Sequence, residues 1–384
     1  MATPTLRRWQ SEALERWNES RHRGIVSVVT GAGKTIFALA CVAQVRAITT
    51  LIVVPTAALL DQWWVESAAF FSLALDEIHV ISGNRGIKAG TINLAVLNTA
   101  ATLPMRRHAV ECFLIIDECH KAGAQAFRRV LDLKTTASLG LSATPERPYD
   151  DALAQVVVPA LGPIIYEYSY ADALKDRVIV PFTLKNIVFD LESDRQVMYD
   201  NITKSIARII RTEGHESPRA LALLLRRTRI LNFSDNRIRL AVKIVAANQG
   251  KRVLVFHEDI AACDVIAKIL EAHRVPSGVY HSKLSLRQRV EVLAAYRAGR
   301  IQVLVTCHAL DEGFNVPETE IGIIAASTAT RRQRIQRLGR VVRPAKDKTS
   351  ASIYTLVATS PEIARLKEEE SALEGIADVT WGRA

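Results

Sequence analysis

Short runs of β-branched apolar residues, set between helical stretches, constrain this sequence more than any other feature. In the first half they fall at residues 25–29, 51–54, 94–97, 113–116 and 137–141. In the second half they fall at 253–256, 279–280, 303–306, 321–325 and 353–357. Runs that stay apolar on both faces suit strands buried in a parallel sheet beneath helices. Helical patterns intervene, for example over 260–272 and 286–298, with Gly299 as the C-terminal stop of the latter. The pattern predicts two α/β blocks.

Between the blocks the rhythm changes. Pro159, Gly162 and Pro163 mark the exit from the first block. A strand is expected at 184–189, followed by helical stretches around 196–211 and 220–247. We therefore expect a first domain over 1–165, a linker with a basic helical segment over 166–250, and a second domain over 251–384. An acidic helix at 364–373 and a short tail are expected to close the chain.

With 384 residues, 49% of them hydrophobic and 23% charged, the chain reads as globular and as having two well-filled cores. No apolar run approaches the roughly 18 residues needed to span a bilayer. The opening residues lack the apolar core of a signal peptide, so a cytoplasmic location is expected and no membrane contact. The five cysteines are scattered without metal-ligand or disulfide-framework spacing, which fits reduced, buried thiols. Net charge is +10 and uneven. Residues 219–252 hold nine basic side chains against Asp235 alone, and residues 331–348 hold eight against Asp347. Two concentrated basic stretches point to a polyanionic partner.

Residues 28–35 read Val-Val-Thr-Gly-Ala-Gly-Lys-Thr, after a predicted strand and at the start of a predicted helix. That is the setting of a phosphate-binding loop. Gly31, Ala32 and Gly33 let backbone N–H groups face phosphates, Lys34 reaches their outer oxygens, and the Thr35 hydroxyl suits magnesium. Val28 stands where the strict pattern has glycine, so the motif is a relaxed one. The run at 113–116 then delivers two adjacent carboxylates, Asp117 and Glu118, to the C-terminal end of a strand, where open α/β sheets bind ligands. Asp117 suits magnesium and Glu118 suits an attacking water. ATP with Mg2+ is the expected cofactor pair.

In that order and context, residues 31–35, Asp117-Glu118-Cys119-His120 and Ser142-Ala143-Thr144 resemble motifs I, II and III of superfamily 2 helicases and translocases. Residues 306–317 resemble motif V, and Gln336-Arg337-Leu338-Gly339-Arg340-Val341-Val342-Arg343 resembles motif VI. The wording is most similar to prokaryotic relatives of the xeroderma pigmentosum group B helicase and to type III restriction helicase subunits. Leu6-Arg7-Arg8-Trp9-Gln10 and the segment from Val54-Pro55-Thr56 to Gln62-Trp63 carry that likeness. DEAD-box RNA helicases are less similar, having Ala and Asp where this chain has Cys119 and His120.

The resemblance implies two tandem RecA-like domains, parallel sheets flanked by helices, with ATP in the interdomain cleft and a helical insertion between them. It implies that Gln10 hydrogen-bonds adenine with Arg7 beside it, that Gln336 faces the γ-phosphate, and that Arg340 and Arg343 act as arginine fingers. Ser142 and Thr144 would couple hydrolysis to domain motion. Pro55, Thr56, Thr99 and Thr306 would hold strand phosphates, with His281, Arg287 and Arg289 as additions to that track. Arg226, Arg227 and Arg229, in the basic segment, are expected to touch nucleic acid, DNA more than RNA; an acidic partner protein is the alternative. The function implied is an ATP-dependent helicase, a duplex translocase that never separates strands, or a nucleotide-switch scaffold. The chain is close to a minimal motor, so a partner protein is expected to supply substrate choice.

Overall fold

A computed structural model describes residues 5–45, 49–83, 85–103, 112–143, 152–214, 217–307, 316, 318–326, 341–345, 348–370 and 375–384. These residues form two compact units, with the break in sequence between Val178 and Ile179.

The first unit runs α1 (Arg8–Glu19), β1 (Arg23–Val28), α2 (Lys34–Gln44), β2 (Thr49–Val54), α3 (Ala57–Phe71), β3 (His79–Val80), β4 (Ile92–Val96), α4 (Leu97–Ala100), β5 (Cys112–Asp117), β6 (Ala137–Ser142), α5 (Val158–Leu161), β7 (Ile164–Tyr168) and α6 (Tyr170–Lys175). Its sheet has the order β3-β4-β2-β5-β6-β1-β7, every neighbour parallel. Central strands β2, β5 and β6 are buried at every position, which is why their sequences do not alternate. Helix α1 buries Trp9, Ala13 and Trp17 along one stripe, and the Trp17 indole donates to the Ser138 carbonyl at 3.0 Å. The N-terminal segment is thereby fixed against the sheet it precedes.

The second unit runs β8 (Phe182–Val188), α7 (Ser193–Glu213), α8 (Pro218–Asn232), α9 (Asp235–Ala246), β9 (Val253–His257), α10 (Ile260–Ala272), β10 (Ser277–Tyr280), α11 (Leu286–Arg297), β11 (Val303–Cys307), β12 (Ile321–Ile324), β13 (Ala351–Val357), α12 (Ser360–Glu370) and β14 (Asp378–Arg383). Its sheet, again wholly parallel, has the order β10-β11-β9-β12-β13-β8-β14. One core gathers Val253, Val255, Val303, Val305 and Ile323 from the strands with Ile238, Ile244, Ile266 and Leu270 from the helices.

One side chain ties this core together. Arg237 on α9 is fully buried; its Nη1 donates to the carbonyls of Ala325 (2.7 Å) and Leu356 (3.0 Å), and its Nη2 to Glu362 Oε1 (3.0 Å). Its guanidinium also lies over the Phe189 ring at 5.0 Å.

The middle of the chain departs from the sequence reading. The contacts break after Val178 rather than at 165, because residues 164–168 are not an exit: as β7 they pair with β1. Residues 182–188 belong to the second unit, since β8 is inserted between β13 and β14. The helical stretch expected over 220–247 is two helices. Ser234 ends the run by accepting from the Arg237 N–H as the N-cap of α9. Helices α7 and α8 pack on each other, with Arg227 over the Tyr199 ring at 5.4 Å and bonded to the Thr203 hydroxyl at 3.3 Å.

A candidate nucleotide-binding loop with adjoining carboxylates

The loop between β1 and α2 owes its shape to glycine. Gly31 and Gly33 have φ of +87° and +99°, a region that costs other residues roughly 1 kcal/mol or more. Gly33 is also the N-cap of α2, so Lys34 and Thr35 open that helix with their N–H groups free of intrahelical partners. Such an end attracts anions through its N–H groups and its dipole. A side chain at Gly33 would also crowd Gln10, whose Nε2 would lie 3.0 Å from the new Cβ.

The N-terminal segment is strapped across this loop. Gln10 Nε2 donates to the Gly33 carbonyl at 2.9 Å, and Gln10 Oε1 accepts from the Arg7 N–H at 2.7 Å. Arg7 Nη1 and Trp9 Nε1 both donate to the Ala32 carbonyl at 3.2 Å. Trp9 is itself held by Phe37, Tyr166 and Tyr168, with ring centroids 5.6, 6.4 and 5.4 Å away. Gln10, which the resemblance assigns to adenine, here gives its Nε2 to the Gly33 carbonyl and its Oε1 to the Arg7 N–H. The indole of Trp9 had no such expectation attached to it.

Strand β5 carries Asp117 to the end of the sheet, and Glu118 follows in the left-handed region at φ +52°. That turn aims Glu118 back at the loop: Lys34 Nζ lies 3.9 Å from Glu118 Oε1 and donates to the Val28 carbonyl at 3.2 Å. Strain of this kind, about 1 kcal/mol, collects where a side chain must be aimed. Both carboxylates are buried. Burial and the neighbouring Glu118 charge push the Asp117 pKa up, against the pull of Lys34 and the Trp63 indole. Asp117 Oδ2 accepts from Trp63 Nε1 at 3.0 Å, and Oδ1 accepts from the Glu118 N–H at 3.0 Å. His120 Nδ1 shares a 2.9 Å hydrogen bond with Ser142 Oγ and lies 3.6 Å from Glu118 Oε2.

The donor set fits a magnesium–nucleotide complex. Glu118 Oε2 is buried without a hydrogen-bond partner among the described residues, beside a lysine that is shared rather than saturated. Among those residues no group of three or more His, Cys, Asp or Glu could hold a metal alone. A hard cation that takes one or two protein oxygens and completes its shell with phosphate and water matches that scarcity.

Some of the residues expected on a strand track sit at or just past the C-terminal ends of strands, and others lie on helices. Pro55 and Thr56 follow β2, and Thr56 caps α3 by accepting from the Leu59 N–H at 3.4 Å. Thr99 lies half-exposed in α4. In the second unit Thr306, near the end of β11, is 1% exposed, and its hydroxyl makes no hydrogen bond among the described residues. His281 Nε2 pairs with Asp264 at 3.3 Å, and Arg287 with Glu291 at 2.8 Å. Arg226 and Arg229 are exposed on α8, whereas Arg227 is half-buried in the helix pair. Arg343 is half-buried, its carbonyl accepting from Lys348 Nζ at 2.7 Å. Thr144, Gln336 and Arg340 lie outside the described residues.

Residues 3–147 match the family described as "Type III restriction enzyme, res subunit", and residues 236–345 match "Helicase conserved C-terminal domain". Among curated proteins, the chain is 28% identical over 368 residues to the DNA 3'-5' translocase XPB2 of Sulfurisphaera tokodaii, covering 91% of this chain and 80% of that protein. It is 30% identical over 363 residues to the DNA 3'-5' helicase XPB of Kineococcus radiotolerans, covering 92% of this chain and 60% of that one. The chain thus spans four-fifths of the archaeal relative and three-fifths of the bacterial one. Among solved structures, the DNA-bound Type ISP restriction-modification enzyme LlaBIII superposes with a TM-score of 0.69 at 13% identity, over 100% of this chain and 31% of that one. S. cerevisiae Dbp5 bound to RNA and ADP BeF3 gives 0.66 at 15%, over 98% and 89%. These two show the RecA-like fold of both units. The motifs, the fold and the two family matches, in their order along one chain, place the protein in superfamily 2 of the helicases and translocases.

Proposed function

We propose that the chain is a nucleic-acid-stimulated ATPase that moves along DNA and separates its strands, tracking 3' to 5' as its named relatives do. The observation that carries this reading is the buried pair Asp117–Glu118 facing Lys34 over a loop that opens a helix. ATP meets the phosphate loop through Gly31, Ala32, Gly33, Lys34 and Thr35, and Arg7 and Gln10 fix the loop's outer side. Thr35 and Asp117 would hold magnesium, whose charge would offset that of the phosphate oxygens. Glu118, 3.9 Å from Lys34 Nζ, orients the attacking water and takes its proton. Gln336 adds a neutral amide, and Arg340 and Arg343 add guanidinium donors, for charge that develops on the transferred phosphoryl group.

Pro55, Thr56, Thr99 and Thr306 hold the strand, with Arg226 and Arg229 adding charge. A partner protein supplies substrate choice, and the protein works in the cytoplasm; no helix among the described residues is long and apolar enough to cross a membrane. The name of the archaeal relative favours a second reading, translocation on duplex DNA without strand separation.

The test is ATP hydrolysis with single-stranded DNA, duplex DNA and RNA, beside strand displacement on 3'- and 5'-tailed duplexes, with Glu118→Gln as control. Stimulation by DNA with displacement from a 3' tail is expected. Stimulation by duplex alone, without displacement, selects the second reading. Rates indifferent to every polymer overturn both.

A further inference from the structure

Trp63 is the largest side chain touching the carboxylate pair, and nothing in the nucleotide chemistry above requires it. It lies on α3 with no exposed surface, and its only polar atom donates to Asp117 Oδ2 at 3.0 Å. Asp117 Oδ1 is taken by the Glu118 N–H at 3.0 Å. Each carboxylate oxygen therefore has a fixed donor, and the plane of the group is set before any ligand arrives. An indole N–H can only donate, so Trp63 accepts one orientation of a carboxylate and no hydrogen-bonded alternative.

The other end of the same helix bears on a second function. Thr56 caps α3, and Trp63 stands seven residues later, two helical turns and about 10 Å along the axis. Positions seven apart lie on nearly the same side of a helix. A displacement of the α3 N-terminus is thus carried by one rigid element to the atom that orients Asp117. Pro55 and Thr56 precede that helix directly, on the strand track proposed above.

We propose that Trp63 is a positioning residue for Asp117, and that α3 links strand contact at Pro55–Thr56 to the magnesium-side carboxylate. This rests on the ATPase reading of the preceding section. Partners that orient a metal-binding side chain typically change affinity or activity by about 10–100-fold when removed.

Trp63→Phe keeps a ring in the core and deletes only the donor. The expected result is a kcat lower by roughly tenfold, a several-fold higher magnesium concentration for half-maximal rate, and a KM for ATP within about twofold. Stimulation by DNA should fall with it, and the double variant with Thr56→Ala should lose no more stimulation than Trp63→Phe alone. Unchanged magnesium dependence overturns the positioning role, and additive losses overturn the link through α3. Because Trp63→Phe can fail to fold, a measurement on the intact nucleotide-free chain is added. Among the five tryptophan indole N–H signals in a 15N spectrum, one should shift far more than the rest in Asp117→Ala. Five signals indifferent to that change sink the proposal. A wild-type chain with no ATPase at all, yet with the indole shift present, would count against the enzymatic reading instead.

Discussion

His120 Nδ1 and Ser142 Oγ, 22 residues apart in sequence, meet at 2.9 Å beside Glu118. The contact joins the end of β6 to His120, whose Nδ1 lies 3.6 Å from Glu118 Oε2. Ser142→Ala should leave ATP hydrolysis within about threefold and lower strand displacement roughly tenfold, the loss of one buried hydrogen bond. The check is the number of ATP molecules consumed per base pair opened; a constant ratio would detach Ser142 from coupling.

Gln10 spends one end of its amide on the Gly33 carbonyl and the other on the Arg7 N–H. Gln10→Ala deletes two hydrogen bonds, worth about 1–3 kcal/mol together, and should raise the KM for ATP about tenfold while kcat changes less. A calorimetric Kd for ADP reads the same effect without turnover. Tight ADP binding by the variant would show that the strap is ornamental to the loop.

Asp117 offers a stability prediction with a definite sign. Burial and the Glu118 charge raise its pKa from the usual carboxylate value to about 6. Below the unfolded value the group is protonated in both states and costs nothing. The penalty grows as pH rises toward 6 and is full above it. Asp117→Asn removes the charge but turns an amide NH2 toward one of the two N–H donors that Asp117 satisfies. The expected outcome is a Tm difference, variant minus parent, that becomes more favourable to the variant as pH rises from about 4 to about 7.5. The same variant should be inert as an ATPase.

The buried pair of Arg237 and Glu362 behaves oppositely. Burial pushes the Glu362 carboxyl up, yet the Arg237 charge and hydrogen bonds from Ala358 and Thr359 leave it below its ordinary value. Stability from this pair is present above the ordinary carboxylate pKa and is lost as pH falls through the depressed one. Glu362→Gln strands a buried guanidinium and should cost about 3–5 kcal/mol at pH 7. Urea midpoints of variant and parent should converge in acid; a constant gap would place the loss elsewhere.

On α8, the exposed Arg226 and Arg229 are separable from Arg227, which packs on Tyr199. Replacing the two exposed arginines with Glu should weaken nucleic-acid binding and lower the slope of log affinity against log salt by about 2. Arg227→Glu should lower Tm instead. An unchanged salt slope in the double variant removes α8 from the strand track.

Much of this arrangement was legible in the sequence, for local reasons. Strands buried on both faces announce themselves, so β1, β2, β5, β6 and β9 were expected within two residues at either end. The loop at 31–35 and the Asp117–Glu118 pair stood out in the sequence because the chemistry proposed for them tolerates few residue types. The strands that escaped notice were β3, β7 and β14. Strand β3 has two residues; β7 follows Pro163 and reads as an exit; β14 contains Gly382 and sits at an edge, where burial imposes little pattern. The long-range contacts were not legible at all. Nothing about Trp63 in sequence says that its N–H finds a carboxylate 54 residues away, and nothing about Arg237 marks it as buried within a basic stretch.

Strand β14 has a practical consequence. It covers the outer edge of β8 along six paired positions, and the Ala384 N–H still donates to the Val188 carbonyl at 3.0 Å. A preparation clipped by a protease before Asp378 would retain every nucleotide-loop residue and both carboxylates. It would also present the bare backbone of β8 as a template for a neighbouring molecule. Such material should assay well when fresh and precipitate on storage, which argues for watching mass at the C-terminus and for placing affinity tags at the other end.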